Sequence, residues 1–234
     1  MEIAAIRTAG GSSTLAAIDL TGNEFDNVLA GNAAGNTLDG GAGNDTLWGY
    51  GGDDTYIVRE AGDVVVEAAG EGFDTARTTI SYTLAAGVSI EVLRTLDANA
   101  TTALNLTGNA LDNRLEGNAG SNVLDGAGGN NVLAGGGGDD FYGGRRANDG
   151  GAGAGGEGFD TVTTTTSYVL AAGAEIELLR TADAAATTAL NLTGNAFDNR
   201  LEGNAGANTL DGGGGANMLS GGQGDDTYIV RNSK

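Results

Sequence analysis

The sequence predicts an all-β fold, a right-handed parallel β-solenoid of the β-roll type, in which three blocks of nine-residue repeats are joined by β-rich connectors. Two periodicities support this prediction. Twelve nine-residue units each begin with glycine and carry leucine or tyrosine at the eighth position. The blocks and the connectors also repeat every 86 residues, as shown by Gly22, Gly108 and Gly194. Fixed short periods are typical of chains that coil and stack each unit on its neighbours.

The most complete unit is GGAGNDTLW, residues 40–48. Its glycines suit a turn, because glycine adopts positive φ at little cost and lets backbone carbonyls converge. Asp45 adds an anionic oxygen at the sixth position. Thr46, Leu47 and Trp48 then suit a short strand, in which alternation directs only Leu47 inward. Each unit is therefore predicted to be one turn followed by one strand.

The eighth positions predict a continuous apolar core, because side chains at equivalent positions of stacked units lie one above another. These residues are Leu29, Leu38, Leu47, Tyr56, Leu115, Leu124, Leu133, Tyr142, Leu201, Leu210, Leu219 and Tyr228.

The two periods divide the chain into six segments, which alternate between connecting segments and repeat blocks. They are an N-terminal β edge segment (1–21), block 1 (22–57), connector 1 (58–107), block 2 (108–143), connector 2 (144–193), and block 3 with a C-terminal strand (194–234). Connector 1 is rich in β-branched residues bounded by glycine or acidic turns, which predicts strands. The predicted strands are residues 64–66, 75–84, 89–95 and 101–106, with a helix over 84–96 as a weaker alternative.

Connector 2 has a different, glycine-rich start. Where connector 1 reads VVVEAAG, connector 2 reads GGAGAGG. The loss of apolar side chains predicts that a strand pairing is lost or loosened there, with a mobile insertion near residues 145–156.

Composition narrows the classes of function. The formal net charge is −20, which disfavours nucleic acid and anionic membrane surfaces and favours cations. Cysteine and histidine are absent, so thiolate and histidine metal sites and Ser-His or Cys-His catalytic pairs are excluded. We therefore expect no enzyme. No apolar run approaches the roughly 18 residues of a membrane span, and the N-terminus does not resemble a cleaved export signal.

The sixth positions predict cation sites between stacked turns. With two units per turn, Asp45 lies over Asn27 and Asp54 lies over Asn36. Carboxylate and carbonyl oxygens are the ligands that Ca²⁺ prefers, six to eight at a time. The predicted metal ligands are Asp45, Asp54, Asp140 and Asp226, the first-position residues Gly40, Gly49, Gly135 and Gly221, and the asparagines Asn27, Asn36, Asn122 and Asn208. Where a flank carries only asparagine, a hydrogen-bonded ladder without an ion remains the alternative.

The twelve units resemble the RTX, or hemolysin-type, calcium-binding β-roll repeat. Their alternation with connectors containing DTYIV, SYTL and TALNLTGN is similar to tandem regions of large proteins exported by bacterial type I secretion. The resemblance implies an extracellular or cell-surface protein that is folded by external calcium and exported without a cleaved N-terminal signal. The family's signal lies at the extreme C-terminus, whereas this sequence ends in TYIVRNSK without a recognisable long signal tail.

Two classes of function fit these features. The first is a calcium-binding structural or assembly protein that stacks head to tail into a fibre or surface structure, since the sequence begins and ends in register with the 86-residue unit. The alternative is a calcium-folded secretion or carbohydrate-binding module excised from a larger secreted enzyme or adhesin, with polysaccharide as a further candidate partner. An ice-binding surface is disfavoured, because the seventh positions do not form a row of threonine.

Overall fold

The chain forms a parallel β-solenoid with two strands in each turn. A computed structural model describes residues 5–7, 16–144, 149–152 and 158–231, and these residues form short strands without any helix. Consecutive strands lie on opposite sides of the solenoid, and, with two exceptions, each strand pairs in parallel with the strand two places along the chain. The predicted all-β solenoid is thus confirmed.

The odd-numbered strands form one side, in two sheets that separate between β7 and β9. They are β1 (Ala5–Arg7), β3 (Val28–Ala30), β5 (Thr46–Trp48), β7 (Val64–Val66), β9 (Tyr82–Thr83), β11 (Asn105–Thr107), β13 (Val123–Asp125), β15 (Phe141–Gly144), β17 (Thr161–Thr164), β19 (Leu178–Thr181), β21 (Arg200–Glu202) and β23 (Met218–Ser220).

The even-numbered strands form the other side, in two sheets that separate between β16 and β18. They are β2 (Leu20–Asn23), β4 (Thr37–Gly41), β6 (Thr55–Val58), β8 (Thr75–Thr78), β10 (Val92–Thr95), β12 (Arg114–Glu116), β14 (Val132–Ala134), β16 (Gly150–Ala152), β18 (Tyr168–Val169), β20 (Asn191–Thr193), β22 (Thr209–Asp211) and β24 (Thr227–Ile229).

The connectors continue the same solenoid, with less regular coil lengths. Inside block 1, Leu29 pairs with Leu47, 18 residues or two units later. In connector 1, Thr75 lies opposite both Thr55 and Val92, which makes successive coils of 20 and 17 residues. Strand pairing, and not a constant repeat length, therefore keeps the coils in register.

One predicted strand, residues 75–84, is wrong as a single element. The structure divides it into β8 and β9, on opposite sides of the solenoid. At the corner between them, the buried Thr78 hydroxyl donates to the Ile80 carbonyl (2.9 Å) and accepts from the Ile80 N–H (3.0 Å). These local bonds compete with the strand ladder and turn the chain. The predicted strands 89–95 and 101–106 begin later than expected, as β10 and β11, and the alternative helix over 84–96 does not form.

The glycine-rich start of connector 2 retains its strand pairing, so the predicted loss of this pairing is wrong, whereas the predicted loosening stays a prediction. Leu133 of β14 lies opposite Gly151 of β16, in the same parallel register as the blocks. The missing side chains do not prevent pairing, because the ladder is made by backbone groups. The predicted mobile insertion falls largely on residues 145–148 and 153–157, which lie outside the described residues.

Successive 86-residue units are related by half a turn of the solenoid. Strands β3, β12 and β21 are equivalent in sequence and begin at Val28, Arg114 and Arg200. They are nine strands apart, and two strands make one turn, so each unit adds four and a half turns. Equivalent loops of neighbouring units therefore lie on opposite flanks.

The predicted eighth-position ladder forms the core. Its first ten residues, from Leu29 to Leu210, are buried, and burial of each such side chain contributes about 1.5–3 kcal/mol. Leu219 is partly buried and Tyr228 is 48% exposed, because no further coil covers them within the described residues. No helix long and apolar enough to cross a membrane occurs among the described residues.

Candidate cation-binding loops

The sixth-position side chains form ladders along both flanks of the solenoid. The Asn27 N–H donates to Asp45 Oδ1 (2.8 Å), and the Asn36 N–H donates to Asp54 Oδ1 (2.6 Å), in each case one coil apart. The predicted placement of Asp45 over Asn27 and of Asp54 over Asn36 is confirmed. The same bond joins Asn122 to Asp140 (2.7 Å) and Asn208 to Asp226 (2.9 Å).

Each ladder continues from a block into the connector, which the sequence interpretation missed. The N–H groups of Asp45, Asp54 and Asp140 donate to carboxylates of the following coil. Their acceptors are Asp63 Oδ1 (3.0 Å), Asp74 Oδ1 (2.8 Å) and Asp160 Oδ1 (2.8 Å), respectively. Stacked aspartates therefore occur at three places. Two signals could have identified the partners: Asp63 follows Asp54 by nine residues, and GEGFD recurs at residues 70–74 and 156–160.

The first-position glycines leave room for the sixth-position side chains. A Cβ on Gly40 would collide with the carboxylate of Asp45, and the same holds for Gly49 with Asp54, Gly135 with Asp140, and Gly221 with Asp226. None of these four glycines has the positive φ proposed for the turn. Positive φ occurs instead at the second and fourth positions, as at Gly41 (92°) and Gly43 (101°).

The sixth-position asparagines are hydrogen-bonded within the protein. Asn27 Oδ1 accepts the N–H of Asn23 (2.8 Å), and Asn36 Oδ1 accepts that of Asn32 (2.7 Å). Asn122 and Asn208 accept in the same way from Asn118 and Asn204, each at 2.8 Å. The amide nitrogen of Asn131 donates to the carbonyl of Gly128 (2.8 Å), the third residue of the same unit. An asparagine thus satisfies its turn without an ion, and a ligand role for these side chains stays a prediction.

The buried sixth-position aspartates, in contrast, are not fully hydrogen-bonded within the protein. Oδ2 of Asp45, Asp54 and Asp140 is buried and has no hydrogen-bond partner among the described residues. Burial raises the pKa of Asp54 and of Asp140 to about 7, and it also raises the pKa of Asp45. An unpaired buried carboxylate is costly unless a proton or cation neutralises it. These residues therefore fit a hard cation held between coils, whereas Asp226 is only partly buried in the last described coil.

Comparison with known families agrees with this geometry. A family model described as the RTX calcium-binding nonapeptide repeat, in four copies, matches residues 21–56, 107–142 and 193–228. No curated protein and no solved structure is significantly similar to the chain. The matched segments contain all four predicted aspartates, but not Asp63, Asp74 or Asp160. Three blocks of this chain thus match the model of the RTX calcium-binding nonapeptide repeat.

Proposed function

We propose that this chain is an extracellular structural protein whose solenoid is held together by calcium bound between successive coils. One observation carries the proposal. Asp45, Asp54 and Asp140 each use one carboxylate oxygen to bind the preceding coil, while the other oxygen is buried without a partner. A bound cation would neutralise these carboxylates, and turn carbonyls would complete the six to eight oxygens that calcium takes.

Three sites have a carboxylate on each of two adjacent coils. They pair Asp45 with Asp63, Asp54 with Asp74, and Asp140 with Asp160. Each pair lies beside space that a first-position glycine leaves open, at Gly40, Gly49 and Gly135, respectively. Because each site lies between two coils, an ion there binds the folded solenoid and not the extended chain. Asp226, with Gly221, supplies the carboxylate of a fourth site.

We infer an extracellular location by assigning to these sites the affinity of extracellular calcium modules. Calcium modules that work outside cells bind at about 0.1–1 mM, far above cytoplasmic calcium. The chain would therefore remain unfolded before export and fold outside. Export without a cleaved N-terminal signal, through a type I route, is part of this proposal and is supported by the family's repeats.

Exchange of aspartate and asparagine at sixth positions tests the calcium sites. We expect Asp45→Asn to lower the calcium stoichiometry by one ion and to preserve the fold, because asparagine can donate to a turn carbonyl as Asn131 does. Conversely, Asn131→Asp should add an ion, since Asp149 lies on the following coil. Isothermal titration calorimetry measures both changes.

The matched control is Asp26→Asn. Asp26 is exposed and accepts the Asn44 N–H, so the substitution removes the same charge without touching an orphaned oxygen. Equal stoichiometry in the wild type and in Asp45→Asn would contradict the assignment, as would the loss of one ion in Asp26→Asn.

Head-to-tail stacking is the assembly that we propose for this solenoid. It is supported by β24, which pairs with β22 on one side and exposes Tyr228 and Ile229. A second copy of the chain would cover this edge. In calcium, sedimentation should show assemblies that disappear when residues 227–234 are deleted. If the full chain and the deletion variant are both monomeric, the stacking proposal fails, while the calcium sites remain.

A carbohydrate-binding module remains the second candidate. Trp48 and Tyr50 are partly exposed, and their ring centroids lie 6.3 Å apart, which offers an apolar platform of the kind that sugars stack on. A carbohydrate-binding module would be expected to carry an extended strip of exposed aromatic rings, and this pair has only two. We therefore favour the structural role. Binding of soluble polysaccharide that is lost in Trp48→Ala would reverse this preference.

A further inference from the structure

Asp54, Glu67 and Asp74 form a cluster of buried carboxylates at the junction of block 1 and connector 1. One ligand oxygen from each lies within 4.8 Å of the others, and no other group of three acidic residues does so among the described residues. The three residues are 1%, 4% and 1% exposed, respectively. The cluster is thus inside the solenoid and not on its acidic surface.

The three side chains come from two coils. Asp54 is the sixth residue of the last unit in block 1, and Asp74 lies one coil later on the same flank. Glu67 directly follows β7, and its Oε2 accepts a hydrogen bond from the hydroxyl of Tyr56 in the core ladder. Tyr56 therefore holds Glu67 toward the interior, next to the stacked aspartates.

Two oxygens of the cluster have no partner. Asp54 Oδ1 accepts the Asn36 N–H and Asp74 Oδ1 accepts the Asp54 N–H, but Oδ2 of each aspartate is buried without a hydrogen bond among the described residues. A Cβ on Gly49 would collide with Asp54 Oδ2 and with the Tyr56 hydroxyl, so this glycine keeps the space beside them open. Buried carboxylate oxygens without a hydrogen-bond partner, next to space that a glycine leaves open, indicate a ligand that is positively charged and small.

The close approach of the three buried carboxylates also favours a positively charged ligand. Three mutually repelling carboxylates at low solvent exposure are stable only when protons or a cation neutralise them. Oxygen ligands of high charge density favour a hard cation over a soft one.

We propose that Asp54, Glu67 and Asp74 together bind one calcium ion in a buried tricarboxylate site, distinct from the two-aspartate sites of the other coils. This inference rests on the proposed calcium-dependent function and adds a ligand to one of its sites. Glu67 and Asp74 both lie outside the matched repeat residues.

The second 86-residue unit provides an internal comparison. Asp140 and Asp160 are equivalent to Asp54 and Asp74, but the residue equivalent to Glu67 is Gly153. The site in that unit therefore has one carboxylate fewer. Because the number of charged ligands tunes calcium affinity, the Glu67 site should bind more tightly than the Asp140 site and fill first.

Substitution of Glu67 by glutamine tests the third ligand. Glutamine keeps the size of the side chain and can still accept from Tyr56, but it removes the charge. We expect Glu67→Gln to weaken the tightest calcium site by about tenfold or more and to leave the other sites unchanged. Competition with a chromophoric calcium chelator measures each affinity, and circular dichroism in saturating calcium checks the fold.

The control is Glu60→Gln, which removes a charge from an exposed side chain of the same connector. Equal calcium affinities in Glu67→Gln and the wild type would overturn the inference, as would equal weakening by Glu60→Gln. If Glu67→Gln does not fold, Glu67→Asp keeps the charge but withdraws the carboxylate from the ion by one methylene, so an unchanged tight site in a folded Glu67→Asp variant would also overturn the inference.

A further variant, Asp74→Asn, distinguishes failure of this inference from failure of the proposed function. If Glu67 and Asp74 hold the same ion, their effects are coupled, so the loss of affinity in the double variant Asp74→Asn/Glu67→Gln should differ from the sum of the two single losses. Additive losses would mean that Glu67 acts elsewhere. Absence of any calcium binding by the wild type would instead refute the proposed function itself.

Discussion

Removal of calcium is expected to unfold the described solenoid. At calcium concentrations a hundredfold above Kd, each site contributes about 2.7 kcal/mol to stability. Three sites between coils then contribute about 8 kcal/mol, which is comparable with the entire stability of a typical domain, about 5–15 kcal/mol. Without the ions, the net charge of −20 and the unpaired oxygens of Asp45, Asp54 and Asp140 oppose folding.

Circular dichroism of the calcium-free and calcium-loaded protein measures this effect. The β-sheet signal should be absent at neutral pH after calcium is removed, and it should return with millimolar calcium. Sodium chloride at matched ionic strength controls for screening of the negative charge. Magnesium controls for charge, because it demands a smaller octahedral site and keeps its waters. An unchanged β-sheet signal without calcium would contradict the prediction, and recovery in sodium chloride alone would show that screening is sufficient.

The sequence specifies the core and the first half of each cation site because both follow the nine-residue period. Leu29 and Leu47 are 18 residues apart and lie opposite each other, so a count along the chain locates them. The same count places Asp45 over Asn27. The same step of 18 residues, counted from Asp45, also leads to Asp63, although Asp63 lies outside the glycine pattern.

The count fails in the connectors because coil length there is set by packing and turns. Asp74 lies 20 residues after Asp54, and Glu91 accepts the Asp74 N–H after only 17 more. Glu67 is invisible to any fixed period, because its position in the cluster depends on the hydroxyl of Tyr56. A strand prediction from β-branched residues likewise misses the corner at Thr78, since the side-chain bonds to Ile80 are local.

The sequence repeats alone also do not predict the half-turn between successive 86-residue units. Nine strands per unit is an odd number, so Asp54 and Asp140 lie on opposite flanks although they are equivalent in sequence. Consequently the proposed sites in the last repeat of each block, at Asp54, Asp140 and Asp226, alternate between the two edges of the solenoid, whereas Asp45 adds a site on the edge opposite Asp54. An even number of strands per unit would have placed these three sites along one edge.

Acidification is expected to restore the fold when calcium is absent. Burial raises the pKa of Asp54 and Asp140 to about 7, of Asp74 and Asp160 to about 6, and of Glu67 to about 8. Groups with a pKa above that of the unfolded chain bind protons more strongly when folded. Their contribution to stability is lost as pH rises through about 6 to 8, and it is fully present below about pH 4.

A pH titration of the calcium-free protein, followed by circular dichroism, tests whether stability decreases as pH rises. The β-sheet signal should begin to recover as pH falls from 8 toward 6. Recovery that began only near pH 4, the ordinary pKa of a carboxylate in an unfolded chain, would assign the effect to general charge repulsion. A signal that decreased on acidification would contradict the prediction outright.

The variant Asp54→Asn identifies the groups responsible. Asparagine resembles the protonated aspartate and can still accept the Asn36 N–H through Oδ1. The calcium-free variant should therefore be more stable than the wild type at pH 8, and its stability should depend less on pH between 8 and 5. In calcium the order should reverse, because the variant lacks a ligand and loses one ion. This opposite response to one substitution would show that protons and calcium compete for the same buried carboxylate.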